Sequence, residues 1–418
     1  MLVRKSFISP DFEPATHADS GYGEDRLKAI ARRNTYSFLI LFLVLEVFWL
    51  TANRLILGDD WAFYRTSEFS LTVFSLFLVT VLLLSIFIVF FSRQVGVIRR
   101  LKVGMPVVKA VYALAIGANI AVAMLIEDNA RYVSGGLTGT AGVTYAFSRS
   151  LTLAAMILSL KAKYAPGGSV QLPWVAALCA TYAATIDGLA SALTLACYVL
   201  LLAGSLTWRN AIAIVLGMIS VVGVLLFGFG RKFSEIPVYL TPEFFVKWTL
   251  ARMSITAEQA FTYLSGDSIL NRPSAYLDLL VKTYENRLAI VTGNSYPMSQ
   301  PRSVSEAFYY DMYGNYDAGS SPGFFLGVIM HGPFAIIAIF LSAFIFMQMF
   351  YGMEKRFSII QLFCFAVITD AIHANITEYL VIISPATVAL VLFLAVCMMQ
   401  PVRHRAVSRS TIATTARL

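Results

Sequence analysis

The sequence predicts an all-α polytopic membrane protein with about ten transmembrane helices and one large extracytoplasmic loop. Three observations predict it. Of 418 residues, 58% are hydrophobic and 13% charged, and mean hydropathy is +0.71; a soluble domain is nearer 45–50% apolar and about 25% charged. Apolar runs recur along the chain at membrane-spanning length, roughly 20 residues each. Basic side chains gather in alternate short loops. This composition excludes a disordered chain, a soluble enzyme and a small disulfide scaffold.

The first 34 residues are polar and mixed in charge, without the apolar core and cleavage site of a secretory signal. They are expected to be a loose cytoplasmic tail (1–34), with the first span as targeting signal. Spans are expected at 35–53, 69–91, 106–126, 144–160, 170–186, 189–205, 210–229, 322–349, 357–375 and 378–399. They are apolar on all sides, and hydrocarbon tolerates no unpaired backbone polar group, so each should be a helix. The chain then divides into a seven-helix membrane segment (35–229), a loop (230–321), a three-helix membrane segment (322–399) and a basic tail (400–418). Pro333 and Pro385 fall inside spans and should kink them.

Residues 170–205 need an argument. As one helix they would measure about 54 Å, against a hydrocarbon core of roughly 30 Å. Asp187-Gly188 interrupts them and is a turn signal, so two short helices are expected. Charge parity agrees. With two crossings, one side collects Arg26, Lys28, Arg32, Arg33, Arg93, Arg99, Arg100, Lys102, Lys161, Lys163, Arg209, Lys355, Arg356, Arg403, Arg405 and Arg409, and the opposite short loops hold only Arg54, Arg65 and Arg131. The positive-inside rule then puts both termini in the cytoplasm and reads the net charge of +8 as a topology signal, not a nucleic-acid surface.

Residues 230–321 lie outside on that topology. The segment has eight Lys/Arg against nine Asp/Glu and is long for an idle connection. It opens with an amphipathic stretch, Pro242 to Leu264, whose Phe244, Phe245, Trp248, Leu250 and Phe261 suit a membrane surface. Cys179, Cys197, Cys364 and Cys397 sit in apolar runs without metal-ligand spacing and read as small buried hydrophobes.

Charged groups within a membrane are costly and are functional candidates by default. Arg149 lies about a turn and a half inside the fourth span, and Arg131 lies in the second outer loop. Asp187 caps the turn between spans five and six, and His331 sits in the outer third of span eight. Asp370 and His373, three apart on one helix face, lie near the outer end of span nine, followed by Glu378. All are at or near the outer face, and no comparable set is visible in the cytoplasmic half. The expectation is one site open to the outside. Each residue also has a plainer reading: Arg149 snorkelling to headgroups, Asp370 and His373 as a structural pair, His331 as packing, Asp187 as a turn residue.

The loop adds Arg252 and an aromatic run, Phe308-Tyr309-Tyr310-Asp311-Met312-Tyr313-Gly314-Asn315-Tyr316-Asp317, before Ser320-Ser321-Pro322-Gly323. Tyr has a flat apolar face and a polar tip, which suits sugar rings, or an interfacial belt. Small residues at a helix start leave backbone N–H groups open to anions. P-loop lysine, H-E-x-x-H and C-x-x-C patterns are absent.

This layout resembles the oligosaccharide repeat-unit polymerases of bacterial surface polysaccharides, the O-antigen polymerase or Wzy-type family. The resemblance covers most of the chain in architecture. In motif it rests on the run from Tyr313 to Gly327 and on Asn129-Ala130-Arg131-Tyr132-Val133-Ser134-Gly135-Gly136. Two departures stand out. The Gly-x-Arg-type motif of many relatives is replaced by Asp187-Gly188-Leu189-Ala190-Ser191, and the loop His of the ligase branch has no counterpart nearer than His331.

The resemblance implies an architecture like the GT-C-type glycosyltransferases and a bacterial inner-membrane location. It implies a metal-independent, inverting membrane glycosyltransferase without cofactor. Its donor and acceptor would be polyprenyl-pyrophosphate-linked oligosaccharides, with a chain-length regulator as possible partner. On that expectation Asp317, His331, Asp370 and His373 are candidates for the base. Arg131, Arg149, Arg252, Tyr313, Tyr316, Ser320, Ser321, Asp187 and Glu378 are candidates for substrate binding. An O-antigen ligase shares the fold expectation. A lipid-linked oligosaccharide flippase predicts polar residues near the midplane and related halves, neither of which the sequence displays.

Overall fold

The structure, a computed structural model, describes residues 19–57, 71–94, 105–125, 139–165, 170–185, 189–204 and 335–377, with seven positions between 278 and 292. Among the described residues it is all-helical. Eight helices are defined: α1 (Asp19–Leu57), α2 (Leu71–Gln94), α3 (Met105–Leu125), α4 (Gly139–Tyr164), α5 (Leu172–Ala183), α6 (Leu189–Ala203), α7 (Ala335–Phe350) and α8 (Ile359–Thr377). The spans expected at 210–229 and 378–399, Pro333 and Pro385, and nearly all of 230–321, lie outside the described residues; the positions described within that loop, from Asp278 to Thr292, are helical.

The helices pack as two groups. In one, α1 contacts α2, α7 and α8, and α7 contacts α2 and α8; in the other, α3 contacts α4 and α5. The groups meet where α6 packs on α8, α4 and α5, and where α4 touches α7. The core is apolar, but the surface also carries large apolar side chains and the interior holds several polar ones. Leu82, Leu114 and Met124 are 60%, 60% and 80% exposed, while Asn34, Thr35, Asn119, Ser148 and Gln348 are buried. Water would penalise that surface and hydrocarbon does not. Two helices, Pro106–Leu125 and Thr140–Tyr164, are long and apolar enough to cross a membrane; Phe77–Arg93, Leu172–Ala183, Leu193–Ala203, Ile339–Phe350 and Ile359–Thr369 are shorter apolar helices.

Residues 170–204 form two helices, with α5 ending at Ala183 and α6 beginning at Leu189. Pro173 stands in the first turn of α5, where a missing N–H costs no intrahelical bond. Two helices differ in extent from the expected spans. α1 starts at Asp19, well inside the segment expected to be a loose tail, and its 39 residues run about 58 Å. The ion pairs of Lys28 with Glu24 (3.4 Å) and Asp25 (3.9 Å) support this first part. α4 starts at Gly139, so Arg149 lies about 15 Å along the helix, deeper than the expected turn and a half.

One end of the bundle is closed by lysines and aromatic rings. Gly204, at φ 81°, ends α6, and Gly352, at φ 84°, follows α7. A left-handed residue stops a helix and turns its last carbonyls toward new donors, and glycine adopts that conformation without strain. The Gly204 carbonyl accepts Lys355 Nζ at 2.6 Å and Gln361 Nε2 at 3.2 Å. Lys161 Nζ donates to the Gln348 carbonyl at 2.9 Å, and Tyr164 Oη to the Leu201 carbonyl. Asn34 ties α1 to the α7–α8 link: its Nδ2 donates to the Lys355 carbonyl (2.9 Å) and its Oδ1 accepts the Phe357 N–H (3.2 Å). Behind these bonds Phe38, Phe346, Phe350, Phe357 and Phe365 stack at ring-centre distances of 4.7–5.8 Å.

Lys161 is 5% exposed, Gln348 3% and Asn34 2%. The expectation that polar groups collect only toward the outer face is therefore corrected. This Lys-rich end holds its own buried set: the Lys161 ammonium and the Asn34 amide find main-chain partners, while the buried side-chain amide of Gln348 has none among the described residues.

Candidate functional site

The opposite end is where the sequence places its site. Arg149 is the candidate whose side chain the structure describes. Its Nη2 donates to the Thr185 carbonyl at 2.6 Å. Its guanidinium carbon lies 5.0 Å from the Tyr145 ring centre and 4.9 Å from that of Tyr182. Tyr145 is one turn before Arg149 on α4; Tyr182 is in the last turn of α5 and only 5% exposed. The planar cation thus lies against two aromatic faces, an arrangement that favours Arg over Lys.

The end of α5 explains the carbonyl. Thr185 N and Oγ1 both turn back to the Tyr182 carbonyl, at 3.0 and 2.9 Å, and Ala184 N bonds the Ala180 carbonyl. The turn aims the Thr185 carbonyl at α4, at the negative end of the α5 dipole. Arg149 therefore does not merely snorkel: it joins α4 to the α5–α6 turn. Asp187, expected at that turn, lies outside the described residues; Thr185, two positions earlier, is the group Arg149 reaches.

Asp370 and His373 both lie on α8. They are 11 and 14 residues beyond its start at the Lys-rich end, or about 16 and 21 Å along the axis, in the same half of the bundle as Arg149. Their side chains lie outside the described set, and α6 packs against both α8 and α4. Arg131, Arg252, Tyr313, Tyr316, Asp317, Ser320, Ser321, His331 and Glu378 lie outside the described residues, as does the amphipathic stretch 242–264.

Between the two ends runs a line of buried polar groups that sequence reading misses. Asn119 Oδ1 on α3 accepts Ser148 Oγ and Thr152 Oγ1 (3.1 Å), both from α4. Two turns further along α4, Ser159 Oγ is 2.7 Å from Tyr198 Oη of α6, which is 3.0 Å from Tyr112 Oη of α3. Asn119, Ser148 and Tyr198 are fully buried. Ser148, Thr152 and Ser159 follow helical spacing, which was a usable signal; their partners on α3 and α6 carried none. Among the described residues no cluster of His, Cys, Asp or Glu is arranged to hold a metal ion. Comparison with protein-family models, curated proteins and solved structures finds no match to this chain.

Proposed function

We propose that the protein is a membrane glycosyltransferase that polymerises polyprenyl-pyrophosphate-linked oligosaccharide repeat units at the periplasmic face of the bacterial inner membrane. The reading includes about ten spans, both termini in the cytoplasm and a GT-C-like architecture. In this reaction an acceptor hydroxyl attacks the anomeric carbon of the donor sugar. The bond from that carbon to the pyrophosphate oxygen breaks, the hydroxyl proton passes to a base, and lipid pyrophosphate leaves.

The observation that carries the reading is Arg149, held by Thr185 and flanked by Tyr145 and Tyr182 at the end opposite the lysines. A departing pyrophosphate needs fixed positive charge, and a guanidinium already oriented by its surroundings supplies it without reorganising. Arg131 and Arg252 are further candidates for that role, and Asp317, His331, Asp370 and His373 for the base. The test is purified protein with lipid-linked oligosaccharide. A ladder growing in repeat-unit steps, lost in Arg149→Ala with the protein still folded, supports the reading. A single transfer onto a different acceptor would make the enzyme a ligase.

The buried line Asn119–Ser148–Thr152 and Ser159–Tyr198–Tyr112 favours a second reading, a lipid-linked oligosaccharide flippase, because polar groups at mid-depth are what a transport path requires. Cells lacking a flippase accumulate lipid-linked units on the inner leaflet. Cells lacking a polymerase accumulate them on the outer leaflet.

A further inference from the structure

A second feature lies away from the Arg149 site, on the outside of the bundle near the Lys-rich end. α1 and α2 leave an open groove of about 420 Å³ between them. One wall is cationic and polar: Arg32, Arg33 and Tyr36 of α1, all exposed. The other is α2, with Ser85, buried Ile88 and exposed Val89. No acidic residue lines it. The nearest acids upstream on α1, Glu24 and Asp25, already pair with Lys28, and neither arginine forms an ion pair among the described residues.

The groove joins two chemistries along one line. From Val89, the exposed residues Ile86, Leu82 and Leu78 continue up the same side of α2 at helical spacing. That apolar track runs about 16 Å away from the arginines. A ligand that fits it carries an anion at one end and hydrocarbon at the other. Guanidinium groups bind phosphate through paired N–H donors, and basic recesses between transmembrane helices on the cytoplasmic side are known to take acidic headgroups.

We propose that the α1–α2 groove binds one anionic phospholipid of the leaflet at the Lys-rich end, with its phosphate against Arg32 and Arg33 and an acyl chain against Ile88, Val89 and the α2 track. The proposal rests on the membrane reading and is independent of sugar transfer. Ser85 Oγ is committed to the Val81 carbonyl at 2.7 Å, so the arginines and Tyr36 are the polar contacts for the headgroup.

The test uses the full chain in phosphatidylcholine nanodiscs doped with spin-labelled phosphatidylglycerol or spin-labelled phosphatidylcholine. The expected result is a roughly ten-fold preference for phosphatidylglycerol, falling to near parity in Arg32→Gln/Arg33→Gln, since each cation near an anionic headgroup contributes several-fold. Val89→Trp keeps both arginines and blocks the apolar wall from an exposed position, so it should lower the preference without unfolding the protein. Millimolar inorganic phosphate should leave the preference intact. Equal association of the two lipids, a preference that survives the double substitution, or displacement by inorganic phosphate would each overturn the proposal, the last by making this a site for a free anion. A dimer that dissociates in Val89→Trp, with no lipid preference, would assign the groove to a second copy and also overturn it. Failure of the membrane reading would look different: the chain would remain soluble without detergent.

Discussion

At the Lys-rich end, Lys161, Lys355 and Asn34 each reach a main-chain carbonyl on a distant part of the chain, over a packed layer of phenylalanines. At the other end, Arg149 reaches one carbonyl and lies between two tyrosine rings. The first region uses charge to fasten helix ends together. The second holds a cation in a fixed orientation beside a turn. The difference teaches that a buried charge in this bundle is not by itself a mark of chemistry; its partners decide. Where the partners are carbonyls closing four elements, the role is cohesion.

Substitutions sharpen that contrast. The largest expected effect is on the aromatic layer. Phe350→Ala removes a fully buried ring that contacts Phe38, Phe357 and Phe365, and should cost about 3–5 kcal/mol in reversible unfolding in detergent. An unchanged unfolding midpoint would mean that this end is not the stable half. Next is Arg149→Ala. Loss of one fixed cation at a developing charge typically lowers turnover about a hundredfold, so chain elongation should collapse while unfolding shifts far less than for Phe350→Ala. Arg149→Lys should rescue elongation poorly, because an ammonium lacks the planar fork. A variant that polymerises normally would place Arg149 with the fasteners.

Asn34→Ala should destabilise by about 2 kcal/mol, since it breaks two bonds between α1 and the α7–α8 link, one buried and one partly buried. Hydrogen exchange around 353–358 should rise with it, and protection there equal to the parent would show that the link is held by packing alone. The smallest effect is expected at Tyr198→Phe. It removes the hydroxyl between Ser159 and Tyr112 at a cost of about 1 kcal/mol, with helix packing intact. If it instead abolished substrate movement across the membrane, the polar line would belong to a transport path.

Much of the fold was legible. A division of 170–205 into two helices was expected from length against bilayer thickness, and the structure has α5 ending at Ala183 and α6 beginning at Leu189. Lys161, Lys163 and Lys355 appeared in the sequence as loop charges that report topology. Their structural use was not legible, because the Lys161 partner is 187 residues away and the Asn34 partner 321. The site was legible in half. Tyr145 stands one turn before Arg149 and could be placed beside it by spacing alone, whereas Tyr182 and Thr185 come from another helix.

By itself the sequence determined the helical class and the division between α5 and α6. Each of these depends on composition within a window of some twenty residues, which is the scale at which hydrocarbon selects a helix. The tertiary structure decided which polar groups become fasteners and which guanidinium is caged. Those outcomes depend on side chains from separate helices meeting at hydrogen-bond distance. Hydropathy along one strand of chain contains no term for such meetings, and a buried polar group is stable only where one occurs.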